Sequence, residues 1–205
     1  MEIYERIGET EGQIESLNQL AWLFFGDKQL DAAEEAATRA IDLVSGKGQE
    51  FYACQLHRTL GQICGSKGDK KNAIHHFETA LGIASSFNWC DLLFWIHYGL
   101  AYLFLEEDGF YDASTHIERA KTNAVNDAYH LGRARDLQAR VWHRQRRLED
   151  AKSEASQALE IFESLGAAGD QRDCGDFLDI VEQEMTSRSN SLRGELLKRK
   201  ESYIP

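Results

Sequence analysis

The chain has 205 residues, 42% of them hydrophobic, and a formal net charge of −11. That apolar content supports a continuous core, whereas the acidic balance excludes a generic nucleic-acid surface, which needs clustered Lys and Arg. No apolar run reaches the roughly 18 residues of a membrane span, and the opening MEIYERIGET lacks the hydrophobic region of a secretion signal, so a soluble, cytoplasmic protein is expected.

Residues 1–13 come first. Their segment EIYERIG echoes EIFESLG at 160–166. They are therefore expected to end the second helix of a preceding repeat. The chain then reads as a piece of a longer array, and its truncated N-terminal end would be free to self-associate. Residues 14–53 form the next unit. Leu17, Leu20, Ala21, Phe24 and Phe25 recur with a helical period. Gly26 and Asp27 supply a turn, and Asp31 to Val44 is rich in Ala and Glu, good helix formers. Ser45-Gly46-Lys47-Gly48 ends that helix.

Residues 54–93 hold the clearest pattern, LGQICGSKGDKKNAIHHFETA from Leu60 to Ala80. Leu60, Gly61 and Cys64 share one helical face. Gly65, Ser66, Gly68 and Asp69 interrupt it, and Ala73, Phe77 and Ala80 form a second face. Residues 94–131 make the most aromatic segment, with Phe94, Trp95, Tyr98, Tyr102, Phe104, Phe110 and Tyr111. In residues 132–170 the first helix is basic: Arg133, Arg135, Arg140, Arg144, Arg146 and Arg147. Residues 171–186 are in register for another first helix, with Leu178 in a core slot. There the small slot is Asp179 and the next core slot Glu182. A polar outer face is what a capping helix needs. Residues 187–205 are polar and basic, a frayed helix or disordered tail.

The four units superpose at offsets of 40, 40 and 38 residues. Ala21, Gly61, Ala101 and Ala139 share one slot. Ala33, Ala73, Ala113 and Ala151 share another, and Ala40, Ala80, Ala120 and Ala158 a third. Larger slots hold Ala37, Phe77, Ile117 and Ala155, and Phe24, Cys64, Phe104 and Trp142. Small residues at fixed places let helix backbones approach closely, so the chain is a stack of helix pairs.

This spacing resembles the tetratricopeptide repeat (TPR) over nearly all of residues 14–165. Two features depart from that family. Leu17, His57, His97 and Arg135 occupy the usual bulky early slot, and Ser45, Ser85, Val125 and Glu163 stand where a closing proline is usual. The long period and the phrases ALEIFESLG and EIYERIG also resemble the TPR tails of STAND-type NTPases and kinesin-light-chain-like arrays. The resemblance implies an all-α, right-handed superhelix of about four helix pairs plus a C-terminal capping helix. It implies a scaffold that binds a protein or peptide in a concave groove lined by the first helices, here Asn18, Trp22, Arg58, Gln62, Trp95, Tyr98, Tyr102, Arg133, Asp136 and Arg140. The family's chaperone-binding clamp of Lys and Asn finds only Asn18, with Arg58 a partial substitute, although an anion site built differently around Arg58, Arg133 and Arg140 is conceivable.

Nucleotide-binding, hydrolase-elbow and zinc-protease motifs are absent from the sequence. No catalytic residue, cofactor or metal site is expected. Cys54, Cys64, Cys90 and Cys174 show no CxxC spacing and suit free thiols in a reducing compartment. His57 and His97 share a slot, as do His76 and His116; pairs alone do not make a metal site, so packing roles are expected. The arginines from 133 to 147 lie near Glu149, Asp150 and Glu154, which predicts salt bridges ahead of phosphate contacts. Two other functions fit less of the pattern: a self-assembly module using the N-terminal end, and an RNA-binding helical repeat.

Overall fold

The computed structural model describes residues 2–45, 48–124 and 127–201, with side chains placed for 9–45, 48–124 and 127–191. Among the described residues there are nine helices and no strand: α1 (Glu2–Gly26), α2 (Leu30–Leu43), α3 (Glu50–Ser66), α4 (Lys70–Phe87), α5 (Cys90–Glu106), α6 (Phe110–Asn123), α7 (Ala128–Arg144), α8 (Leu148–Leu165) and α9 (Ala168–Glu201). The all-α class expected from the sequence is the class found.

The chain divides into two compact units, Met1–Val125 and Asn126–Pro205. In the first, α1 pairs with α2, α3 with α4, and α5 with α6. In the second, α7 pairs with α8, and α9 packs on α8. Each pair is joined by three residues, 27–29, 67–69, 107–109 and 145–147. Such short connections force consecutive helices to fold back on one another. The middle residue of every such turn has positive φ: Lys28 (60°), Gly68 (80°), Asp108 (58°) and Arg146 (62°). Only the second turn has glycine at that middle position, the residue for which the conformation carries no Cβ penalty. Asp69 and Asp127 cap α4 and α7 by accepting from the backbone N–H of Asn72 (3.2 Å) and His130 (2.9 Å).

The repeated small slots are the core. Ala21, Ala33, Ala40, Ala73, Ala80, Ala101, Ala113, Ala120, Ala139, Ala151 and Ala158 are fully inaccessible, and Gly61 is buried. Between these backbones sit a few large wedges. In the first unit a Cβ added at Gly61 would stand 3.0 Å from the Phe77 ring, and one at Gly99 would stand 2.7 Å from it. In the second, a Cβ at Gly132 would stand 2.9 Å from Phe162. Each ring fills the space where a side chain is missing, so burial and close approach arise from the same residues.

The first and last helices differ in detail from expectation. Residues 1–13 do not close a preceding helix; from Glu2 they run without a break into 14–26 as α1, since nothing in ERIGETEGQIE stops a helix firmly. In α9 the buried positions are Cys174 (1% exposed), Phe177 (8%) and Val181 (0%), while Leu178 packs at the margin and Glu182 is exposed. The three buried positions stand 40 residues after the buried Ala134, Leu137 and Val141 of α7, so α9 keeps that face of the repeat, while the face of Leu178, Asp179 and Glu182 is left half-buried or exposed. The helix continues to Glu201, so of the two forms expected for residues 187–205, a frayed helix or a disordered tail, residues 187–201 take the helical one. Residues 202–205 lie outside the described residues, as do Gly46, Lys47 and Val125.

Candidate functional site

In the first unit, α3 lies against both α1 and α5, and this brings seven of the predicted groove residues onto three neighbouring helices. Asn18 and Trp22 come from α1, Arg58 and Gln62 from α3, and Trp95, Tyr98 and Tyr102 from α5. All are half-buried except Tyr102, which is 52% exposed. The Arg58 guanidinium lies over the Trp22 ring, 5.2 Å from its centroid, a cation–π contact. Trp22 meets Phe25 edge-on at 5.6 Å. Trp95 meets Phe94 (5.0 Å) and Tyr98 (5.8 Å) edge-on, so these rings hold one another in place.

The polar groups are unevenly satisfied. Thr59 hydroxyl donates to Asn18 Oδ1 at 3.1 Å and fastens α3 to α1. On the same helix Arg58 Nε and Gln62 Oε1 are buried, yet neither has a hydrogen-bond partner among the described residues. Burial holds the Arg58 guanidinium below its ordinary pKa, while Cys54 and Asp91 act the other way. Arg58 and Gln62 are one helical turn apart and present a donor and an acceptor side by side. Thr59 was not among the sequence candidates. A hydroxyl in a slot that holds Gly99 and Leu137 in later repeats was the available signal, because a buried hydroxyl needs a partner.

In the second unit the predicted groove residues are engaged internally. Arg133 bonds Asp170 at 2.5 Å, and Tyr129 hydroxyl donates to the same carboxylate at 3.0 Å. Arg140 donates to both oxygens of Asp136 (2.9 and 3.3 Å) and lies 4.7 Å over the Phe177 ring of α9. Arg146 pairs with Glu184, and Arg147 with Asp150. The basic run is thus answered by carboxylates, as the neighbouring Asp150 and Glu154 suggested. Asp170 and Glu184 on α9 complete it.

One inter-helix slot changes chemistry along the chain. In the first repeat its two positions are Leu17 and Ala36. In the second and third they are His57 with His76, Nδ1 to Nδ1 at 3.0 Å, and His97 with His116 at 3.1 Å. In the fourth they are Arg135 and Glu154, at 3.0 Å. Burial first, then the partner imidazole, holds His57 and His97 down to about 4; burial lowers His76 and His116 as well. No group of three or more potential metal ligands occurs among the described residues, and no helix among them is long and apolar enough to cross a membrane.

The family model described as tetratricopeptide repeat matches residues 59–87, the second half of α3 and all of α4. The chain is a helical-repeat protein of the tetratricopeptide type. Solved structures agree on the fold of these repeats. BtubC (BKLC) from P. vanneervenii is similar with a TM-score of 0.60 at 14% identity, over 91% of this chain and 93% of that one. PilF of Pseudomonas aeruginosa is similar with a TM-score of 0.57 at 12% identity, over 96% and 95%. No curated protein sequence matches the chain. A tetratricopeptide fold suggests a protein-interaction scaffold.

Proposed function

We propose that these repeats form a non-catalytic scaffold and that the first unit holds an extended peptide segment along Asn18, Trp22, Arg58, Gln62, Trp95, Tyr98 and Tyr102. One observation supports this most: Arg58 Nε and Gln62 Oε1, one helical turn apart, are buried and without hydrogen bonds among the described residues. Leaving such groups unmet costs about 1–3 kcal/mol each, more for a charged one. A peptide answers both, with a carbonyl or carboxylate oxygen for the arginine and a backbone N–H for the glutamine. The half-buried rings of Trp22, Trp95 and Tyr98 and the open ring of Tyr102 add stiff contact area with little rotamer entropy to lose. In the second unit, Arg133, Asp136 and Arg140 are left as internal pairs. The four cysteines are unpaired, which supports a reducing, cytoplasmic setting.

The test is selection of displayed random peptides on the full chain, followed by calorimetry on the peptides recovered. Arg58→Ala and Gln62→Ala should each weaken binding by roughly tenfold or more, about 1.4 kcal/mol, with thermal stability kept or improved. Peptides that bind both variants as tightly as the parent chain would remove this face from consideration.

A further inference from the structure

We propose that His57–His76 and His97–His116 are proton-operated latches between the first and second helices of the two middle repeats, closed while each pair shares one Nδ1 proton and opened when both Nδ1 atoms are protonated. The geometry carries the inference. Both pairs join a first helix to the following second helix, at 3.0 and 3.1 Å between Nδ1 atoms. Both have ring centroids 5.3 Å apart, with interplanar angles of 32° and 40°. The same contact is therefore built twice, one repeat apart. A hydrogen bond between two imidazole nitrogens needs one N–H and one lone pair. When both rings are imidazolium the lone pair is gone, and two cations face each other across the same gap.

The surroundings set where this happens. From α4, His57 faces His76 and His75; Glu34 of α2 and Asp69 of the turn favour a charge on His76. Asp91 of α5 acts on Arg58, the neighbour of His57 in the chain. From α6, His97 faces His116 and Arg119, which both disfavour a charge on it, and Asp112 favours one on His116. Phe104 stacks on His116 at 5.5 Å and 12°, and Lys70 of α4 lies over the Phe104 ring. Desolvation outweighs the carboxylates, and all four pKa values are lowered on folding. A histidine whose pKa falls on folding stabilises fully above the unfolded value of about 6.5. That contribution disappears as the pH falls from there toward the folded value, about 4 for His57 and His97. Because α3 and α5 also carry Arg58, Gln62, Tyr98 and Tyr102, opening the latches would displace the proposed peptide face. That consequence rests on the groove reading; the titration does not.

Two measurements on the full chain decide the matter. NMR titration of the imidazole resonances should show His57, His76, His97 and His116 titrating below 6.5; midpoints at or above that value overturn the latch. Urea unfolding from pH 7.5 to 4.5 should then compare the parent chain with His57→Leu/His76→Ala/His97→Leu/His116→Ala, which installs the residues found in this slot in the first repeat. Below pH 6.5 the parent's folding constant should fall more steeply, by roughly tenfold per pH unit for each histidine that stays neutral in the fold. Equal slopes overturn the proposal. Should the fourfold variant not fold, His76→Asn and His116→Asn serve in the same comparison. Peptide affinity of Arg58→Ala is a separate readout, so the latch and the groove fail independently.

Discussion

The middle of the first unit and the second unit follow one plan and close it with different chemistry. In the first, Phe77 wedges against Gly61 and Gly99, and neutral histidine pairs tie α3 to α4 and α5 to α6. In the second, Phe162 wedges against Gly132, and an arginine–glutamate pair ties α7 to α8 in the same slot. Leu17 and Ala36 show that the slot needs no polar bond at all. The difference teaches that alanines and glycines set the helix spacing, while the slot above them is free to acquire a property. A histidine pair responds to pH between neutrality and mild acid. The arginine–glutamate pair puts no imidazole in that slot. Acid should therefore act first on the first unit.

The wedges give the largest effects. Phe77 is 1% exposed, and Phe77→Ala should cost about 3–5 kcal/mol of stability in urea unfolding. Gly99→Ala should cost about 1–3 kcal/mol by overpacking, since its new methyl would stand 2.7 Å from the ring. The two changes share one volume. In the double variant the methyl enters space that the ring has vacated, so the combined cost should fall well short of the sum. Strict additivity would mean that ring and glycine do not touch as described. Phe162→Ala should cause a loss of the same size, but one confined to α7–α9, as hydrogen exchange would show.

The ion pair ranks next. Glu154 and Arg135 side chains are 12% and 26% exposed. Removing one partner of a buried pair costs about 3–5 kcal/mol, and partial exposure should reduce this to about 1–2 kcal/mol. Glu154→Ala should therefore destabilise more than Arg135→Leu/Glu154→Ala, which leaves no unpaired charge and copies the first repeat's filling. A double variant weaker than the single one would show that the pair adds net stability and that the slot is less permissive than its four fillings suggest.

Much of this is legible in the sequence. The small slots were read directly, because alanine and glycine recur there at fixed offsets and nothing larger fits between touching helices. The sharing of slots by histidines was visible too, but not the 3.0 Å approach of their Nδ1 atoms, since repeat register fixes which residues are neighbours and not which rotamers they adopt. The internal pairing of Arg140 was readable from Asp136, four residues earlier on the same helix. The engagement of Arg133 was not, as its partner Asp170 lies 37 residues on, at the start of another helix, α9. The unmet Arg58 and Gln62 were also invisible, because satisfaction of a buried atom depends on every neighbouring element at once.

The smallest effect concerns rates alone and sharpens the comparison between units. Cys54 and Cys64 lie in the first unit and Cys174 on α9, all buried, whereas Cys90 is exposed. Burial is the main cause that pushes Cys54 and Cys64 up to about 11 and Cys174 to about 12. Cys54 donates to the carbonyl of Ala80 and Cys174 to that of Ala155, each at 3.4 Å. A thiol reagent at pH 8 attacks the thiolate, so Cys90 should react at once and the other three only when their helices open. Mass spectrometry of quenched samples then times each opening. Cys174 lies on α9, which packs on α8 and joins α7 through ion pairs, whereas Cys54 lies on α3, which packs against α1, α2, α4 and α5, so Cys174 should react before Cys54. At equal rates the two units would open together, and their different closures would have no separate effect on stability.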